Sequence, residues 1–233
     1  MTTTETLLSI IFPPVCIMCG NLGDNLCNKC KLKLKIIDFP LCLKCDNLCI
    51  KGIPHKICKT EYSPDIFLSP FEYNKASKNI ILKAKYGPKS YTILKMLIYH
   101  ECSIQIIKQF SMVDLIVPAP SSSNLLSTRI INHSEYIADE IHNILNKPVY
   151  NVLQKARNSK SQKSLSGDLR RKYLAGRIKL KDKKMILKKK KVLLVDDVAT
   201  TGTTIAEASK VLKLAGASNV YCYTLTKDVL HNV

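Results

Sequence analysis

The chain has 233 residues, 46% apolar and 23% charged, a balance that excludes a disordered polymer. No apolar run approaches the ~20 residues of a membrane span, and the length suits one α/β domain with a small satellite. The formal charge is +18 and uneven: residues 151–191 hold 16 Lys/Arg against Asp168 and Asp182, which points either to a phosphate-rich polymer as partner or to plain lysine enrichment.

The opening "MTTTETLLSIIFPPVC" has a short apolar patch but no basic n-region and no small-residue cleavage site. It reads as a docking helix turn ending at Pro13-Pro14, and a cytoplasmic location is expected. Eight of the ten cysteines fall in the first 58 residues, mostly in C-x-x-C pairs. Without a signal peptide this usage favours metal over disulfides. Cys16-x2-Cys19 and Cys27-x2-Cys30 supply four thiolates from two tight turns, the tetrahedral set that suits structural Zn²⁺. Cys42-x2-Cys45, Cys49, His55 and Cys58 form a second, less regular group. The expected division is a cysteine-rich zinc-binding module over 1–61 and a second domain over 62–233.

The second domain opens with "IFLSPFEY", 66–73, read as one strand. Residues 76–85 carry helical spacing that stops near Gly87-Pro88, and a longer helical stretch covers about Tyr91 to Phe110. "VDLIVPAP", 113–120, is a buried strand stopped by two prolines. "SEYIADEIHNIL", 134–145, puts Ile137, Ile141 and Ile144 on one helical face, with Ser134 as N-cap. Residues 154–178 are polar and aperiodic, a mobile loop followed by a turn of helix. A strand at 192–198, a helix from Thr203 to Leu214 ended by Gly216, and a strand at 219–226 complete the chain. Strands alternating with helices predict a parallel sheet with helices on both faces.

The chemistry concentrates in "KVLLVDDVATTGTTI", 191–205. In open parallel sheets ligands bind beyond the carboxyl ends of strands. The helix start after this strand offers unpaired N–H groups and a partial positive charge to a phosphate. Gly202 permits the tight turn, and Thr200, Thr201, Thr203 and Thr204 add hydroxyl donors. Asp196 and Asp197 would repel the phosphate; they suit vicinal hydroxyls or a hydrated Mg²⁺. A phosphate beside a diol describes a ribose 5-phosphate.

"VLLVDDVATTGTT" resembles the phosphoribosyl pyrophosphate signature of type I phosphoribosyltransferases. The rest of the chain is similar to the ComF family, which joins a double zinc ribbon to such a domain. "FPPVCIMCG" at 12–20 matches the family's opening, and "FEYNKASKNIILKAKYG" at 71–87 its aromatic-plus-"LKY" element. "DLIVPAP" at 114–120 resembles the turn facing pyrophosphate, and "SQKSLSGDLRRKYLAG" at 161–176 the "Q-x-x-L-S…R" element. The family's "RGFNQ" stands here as Arg129-Ile130-Ile131-Asn132-His133, and the asparagine usual after the arginine element is Tyr173. His133 reads as a satisfied surface histidine at a helix start.

The resemblance implies a type I phosphoribosyltransferase-like α/β domain behind a zinc-ribbon module. Asp196, Asp197, Ala199, Thr200, Thr201, Gly202, Thr203, Thr204, Pro118, Ala119 and Lys85 would bind phosphoribosyl pyrophosphate with Mg²⁺. Arg129, Arg170, Arg171 and Lys172 would contact single-stranded DNA. Other DNA-uptake proteins are implied as further partners, and no catalytic residue is assigned. The family commonly shows another C-x-x-C in the second cysteine group; the pair of that spacing here is His55-x2-Cys58. The second zinc set is therefore Cys42, Cys45, His55 and Cys58, with Cys49 or Glu61 as rival fourth ligand. The competing activity is an active phosphoribosyltransferase acting on a nitrogen nucleophile, a base or ammonia.

Overall fold

The computed structural model describes residues 13–86, 94–95, 97–98, 103–120, 132–155, 177–182 and 187–229. The strands are β1 (Ile66–Leu68), β2 (Phe71–Glu72), β3 (Leu115–Pro118), β4 (Leu153–Lys155), β5 (Ile178–Leu180), β6 (Lys191–Ala199) and β7 (Asn219–Lys227). The helices are α1 (Asn28–Lys31), α2 (Lys75–Tyr86), α3 (Ser103–Phe110), α4 (His133–Leu145) and α5 (Thr203–Leu214).

The apolar runs of β6 and β7 pair in parallel over most of their length and form the centre of the main sheet, ordered β1-β7-β6-β3, with β2 also on β7. Alternation along β6 feeds two cores. Leu193 and Val195 join Tyr221, Tyr223, Ile137 and Ile141 on one face; Val192 and Leu194 join Val220, Cys222, Ile205 and Ala208 on the other. Each face is covered by a helix, α4 on the first and α5 on the second. Cys222 is fully buried, as its apolar setting implies.

The 66–73 segment is two strands rather than one. Pro70 has no N–H for a ladder, so pairing breaks at Ser69-Pro70 and resumes at Phe71. Asn74 starts α2 by accepting from the N–H groups of Ala76 and Ser77, while Ser77 Oγ accepts from Asn74 N. α4 begins at His133, with Asn132 and not Ser134 at the N-cap and no side-chain capping bond. Ser134 instead sits inside the helix and turns its hydroxyl toward β6. At the two ends of the 154–178 stretch expected to be loop, Leu153–Lys155 and Ile178–Leu180 pair as an antiparallel ribbon, too short for its alternation to show. Residues 156–176, residues 91–93, 96 and 99–102 of the expected 91–110 helix, and the N-terminal patch before Pro13 lie outside the described residues.

The cysteine-rich region is two knuckles of one design. In the first, Cys16 N donates to Asn21 O and Gly20 N to Cys16 O; in the second, Cys42 N donates to Asn47 O and Asp46 N to Cys42 O. Bridges Val15–Leu22 and Leu41–Leu48 close them identically. The first knuckle's Cys16 and Cys30 pack with Leu26, Phe71 and Ile80 in one core of the domain. The second reaches the opposite core through Leu43.

Candidate functional site

β6 carries its acidic pair past the end of its pairing with β3, whose last partners are Pro118 and Val195. Ala119 N donates to Val195 O at 2.7 Å, so the Pro118-Ala119 turn lies beside the acids. Asp196 Oδ1 accepts from Ser134 Oγ at 2.8 Å and from Asp197 N at 2.9 Å. Desolvation, with the neighbouring Asp197 charge second, raises the Asp196 carboxyl from 3.8 to about 6, against the opposing pull of Lys155. Asp197 Oδ2 lies 3.5 Å from His133 Nδ1. His133 is 4% exposed, so it is no surface histidine: α4 starts under the sheet end and buries its first residue there. The Tyr73 phenol is raised by desolvation, then by Asp197 and Asp228, which brings a phenol to the same corner.

Beyond the acids the chain turns through Ala199, Thr200, Thr201 and Gly202 into α5. Gly202 is the N-cap at φ 70°, a left-handed conformation that favours glycine. The first helical bond runs from Ala206 N to Gly202 O, so the N–H groups of Thr203, Thr204 and Ile205 have no partner within the helix. Thr201 Oγ1 and Thr203 Oγ1 are 2.8 Å apart, sharing one hydrogen. This cup holds donors and the positive helix end; the strand end before it holds two carboxylates. Such a site accepts an anion and a polyol or hydrated cation side by side.

A cavity of about 400 Å³ borders the loop, with Leu43, Asp46, Pro54 and Phe67 across from Thr200–Thr203. The second knuckle thus forms one wall of this cavity. Lys227, at the end of β7 and 2% exposed, donates to Thr200 O at 3.2 Å and pairs with Asp46 Oδ1 at 2.9 Å. Sequence reasoning passed over Lys155, Lys227 and Asp46 and read Ser134 only as a cap; the sheet order and the knuckle docking are what bring them here. Lys85 lies in the last turn of α2, its side chain outside the description. Arg129, Arg170, Arg171 and Lys172 lie outside the described residues.

The two cysteine groups converge. The ligand atoms of Cys16, Cys19, Cys27 and Cys30 lie within 4.8 Å of one another, and so do those of Cys42, Cys45, His55 and Cys58. Cys49 and Glu61 are in neither cluster. Burial raises the Cys16 and Cys42 thiols, but backbone N–H donors outweigh it and bring both down to about 6. Burial leads in raising Cys30 to about 12 and Cys58 to about 11. Cys16 and Cys42 are therefore ready thiolates near neutrality, while Cys30 and Cys58 must give up their protons on metal binding. His55 Nε2 donates to Leu48 O at 2.9 Å, which leaves Nδ1 as the lone-pair nitrogen, 3.4 Å from Cys45 Sγ. Four thiolates, and three thiolates with an oriented imidazole, are donor sets that fit structural zinc.

A phosphoribosyl transferase domain model matches residues 130–229, and a double zinc ribbon domain model matches residues 7–61. Competence protein F of Haemophilus influenzae is 26% identical over 222 residues, covering 91% of this chain and 96% of its own. Among solved structures, the hypoxanthine phosphoribosyltransferase of Staphylococcus aureus is 12% identical with a TM-score of 0.39, over 59% of this chain and 64% of its own. The adenine phosphoribosyltransferase of Saccharomyces cerevisiae is 18% identical, TM-score 0.39, over 64% of this chain and 72% of its own. An allosteric regulatory enzyme of purine biosynthesis is 21% identical, TM-score 0.38; the match covers 58% of this chain and spans 26% of that one. The ribbon and transferase matches stand in chain order and the likeness to competence protein F runs across both, so this chain is similar to that protein along its length and has a phosphoribosyltransferase fold behind a double zinc ribbon.

Proposed function

We propose that the protein binds phosphoribosyl pyrophosphate with Mg²⁺ at the β6–α5 turn and single-stranded DNA along its basic surface, in the cytoplasm, during DNA uptake or utilisation. One observation carries the ligand assignment: Asp196-Asp197 ends a buried strand directly before the Gly202-started helix, so carboxylates and an anion cup adjoin. The 5′-phosphate belongs on the N–H groups of Thr203–Ile205 and the threonine hydroxyls. The ribose diol, or the cation, belongs on the acidic pair. Pro118-Ala119 would border the pyrophosphate.

Calorimetry with phosphoribosyl pyrophosphate and Mg²⁺ tests the assignment. Changing both acids to Asn should weaken binding at least tenfold, since hydrogen bonds to charged groups contribute roughly 1.5–3 kcal/mol each. The DNA assignment is supported by the positive balance of residues 151–191 and the exposure of Lys188, Lys189 and Lys190.

A second reading, an active phosphoribosyltransferase, is favoured by the Asp196 carboxyl. Raised to about 6 by desolvation first, it exchanges a proton near neutrality, as a general acid or base must. Pyrophosphate release with bases, ammonia or single-stranded DNA as acceptor separates the two readings.

A further inference from the structure

The two knuckles are alike in backbone but differ at one position. Where the first uses Gly20 at φ 80°, the second places Asp46 at φ 58°. A non-glycine residue pays for that conformation unless something holds it. Here the holding group is Lys227: the Asp46 carboxylate is 8% exposed and the Lys227 side chain 2%, and they meet at 2.9 Å. The same ammonium donates to Thr200 O and to Asp228 O, while Asp228 N donates to Ala199 O. Earlier in the knuckle, Leu43 lies against Gly202, close enough that a Cβ built there would sit 3.0 Å from Leu43 Cγ. Leu43 thus meets the Gly202 end of the Ala199–Gly202 turn directly, and Asp46 reaches the Thr200 side of it through Lys227. Each directly follows a ligand of the second cluster, Leu43 after Cys42 and Asp46 after Cys45.

We propose that metal at the second cluster positions the phosphate loop: Cys42 and Cys45, fixed by the ion, hold Leu43 on Gly202 and Asp46 on Lys227, and so keep the Ala199–Thr204 turn in its ligand-ready shape. Loss of that metal frees the knuckle, unpairs Lys227 and lets the turn open. The first cluster packs with Leu26 and Phe71 in the other core and has no such line to the turn among the described residues. Zinc loading at one ribbon, and not at the other, thereby governs affinity at the transferase-like site. The consequence for affinity rests on the ligand assignment above; the effect on the loop does not.

Hydrogen exchange of the 199–206 amides, read by mass spectrometry on the full chain with zinc counted alongside, provides the test. His55→Ala should lose one zinc and raise exchange of this segment roughly ten- to hundredfold, the scale set by losing one charge-assisted bond. Cys19→Ser, which disables the first cluster, should leave the segment protected. Because His55→Ala can disturb the whole ribbon, the single variant Asp46→Gly removes the knuckle's ion pair and leaves Lys227 on Thr200 O. Glycine accepts the positive φ, both zincs should stay, and exchange at 199–206 should still rise. Unchanged protection in Asp46→Gly, or equal deprotection by Cys19→Ser, would overturn the proposal. Calorimetry on the same proteins separates the two claims: exchange coupled to the second cluster without any binding of phosphoribosyl pyrophosphate by wild type keeps this coupling and rejects the ligand assignment.

Discussion

Replacing Asp196 by asparagine should stabilise the ligand-free protein at neutral pH. Asp196 is part-buried beside Asp197, and desolvation first, the neighbouring charge second, lifts its carboxyl from 3.8 to about 6. An acid whose folded pKa exceeds its unfolded value subtracts stability as pH rises: nothing below 3.8, an increasing amount up to 6, and a constant amount above. At about 1.36 kcal/mol per pKa unit the full cost is at most about 3 kcal/mol. The asparagine amide keeps an oxygen for Ser134 Oγ and for the Asp197 N–H, so the variant removes the charge and preserves the bonds. A chain of this size gains roughly 2–4 °C in Tm per kcal/mol, giving a rise of up to about 10 °C at pH 8. About half of the gain should remain at pH 5, where the wild-type carboxyl is largely protonated. Thermal melts of both proteins at the two pH values provide the assay, and taking the difference between them cancels what zinc loss contributes at low pH. No gain at pH 8, or the same gain at both values, would refute the burial argument.

Zinc analysis should find two ions per chain, falling to one in His55→Ala, because both donor sets are assembled. Gly202→Ala should cost roughly 1–3 kcal/mol in denaturant melts, since it forces a left-handed non-glycine residue against Leu43. Binding of single-stranded DNA should weaken with salt at a log–log slope of roughly −0.7 per phosphate contacted, and replacing Lys188–Lys191 by Ser should flatten it if that run touches the backbone. Only a reduced slope assigns the run to DNA; an unchanged one makes it a solvated face.

The sheet and the strand-end motif were legible because long buried strands leave apolar runs, and β6 and β7 are nine residues each. The turn at Gly202 was legible because its glycine, its threonines and the following helix are local features. The two short strands around Pro70 and the β4–β5 ribbon were not, since two or three residues carry no period. His133 illustrates a different failure. Composition puts a histidine at a helix start on the surface, but the depth of that start follows from how α4 crosses the sheet. Ser134 looked like a cap for the same reason; its hydroxyl found a buried carboxylate 62 positions away instead.

The seam between the second knuckle and the loop shows why such sites cannot be read from pattern. Asp46 and Lys227 are 181 positions apart, and either alone reads as an ordinary surface charge. Buried together they are asymmetric in their consequences. Removing one partner strands the other charge away from water, at a cost of roughly 3–5 kcal/mol, whereas replacing both by apolar groups is often neutral. The pair therefore contributes little to net stability but discriminates strongly between docked positions of the knuckle. Any register other than the one observed leaves Lys227 without its carboxylate and Asp46 in a left-handed turn without its restraint. Stability comes from the two cores; the pair determines where the ribbon sits on the Ala199–Gly202 turn.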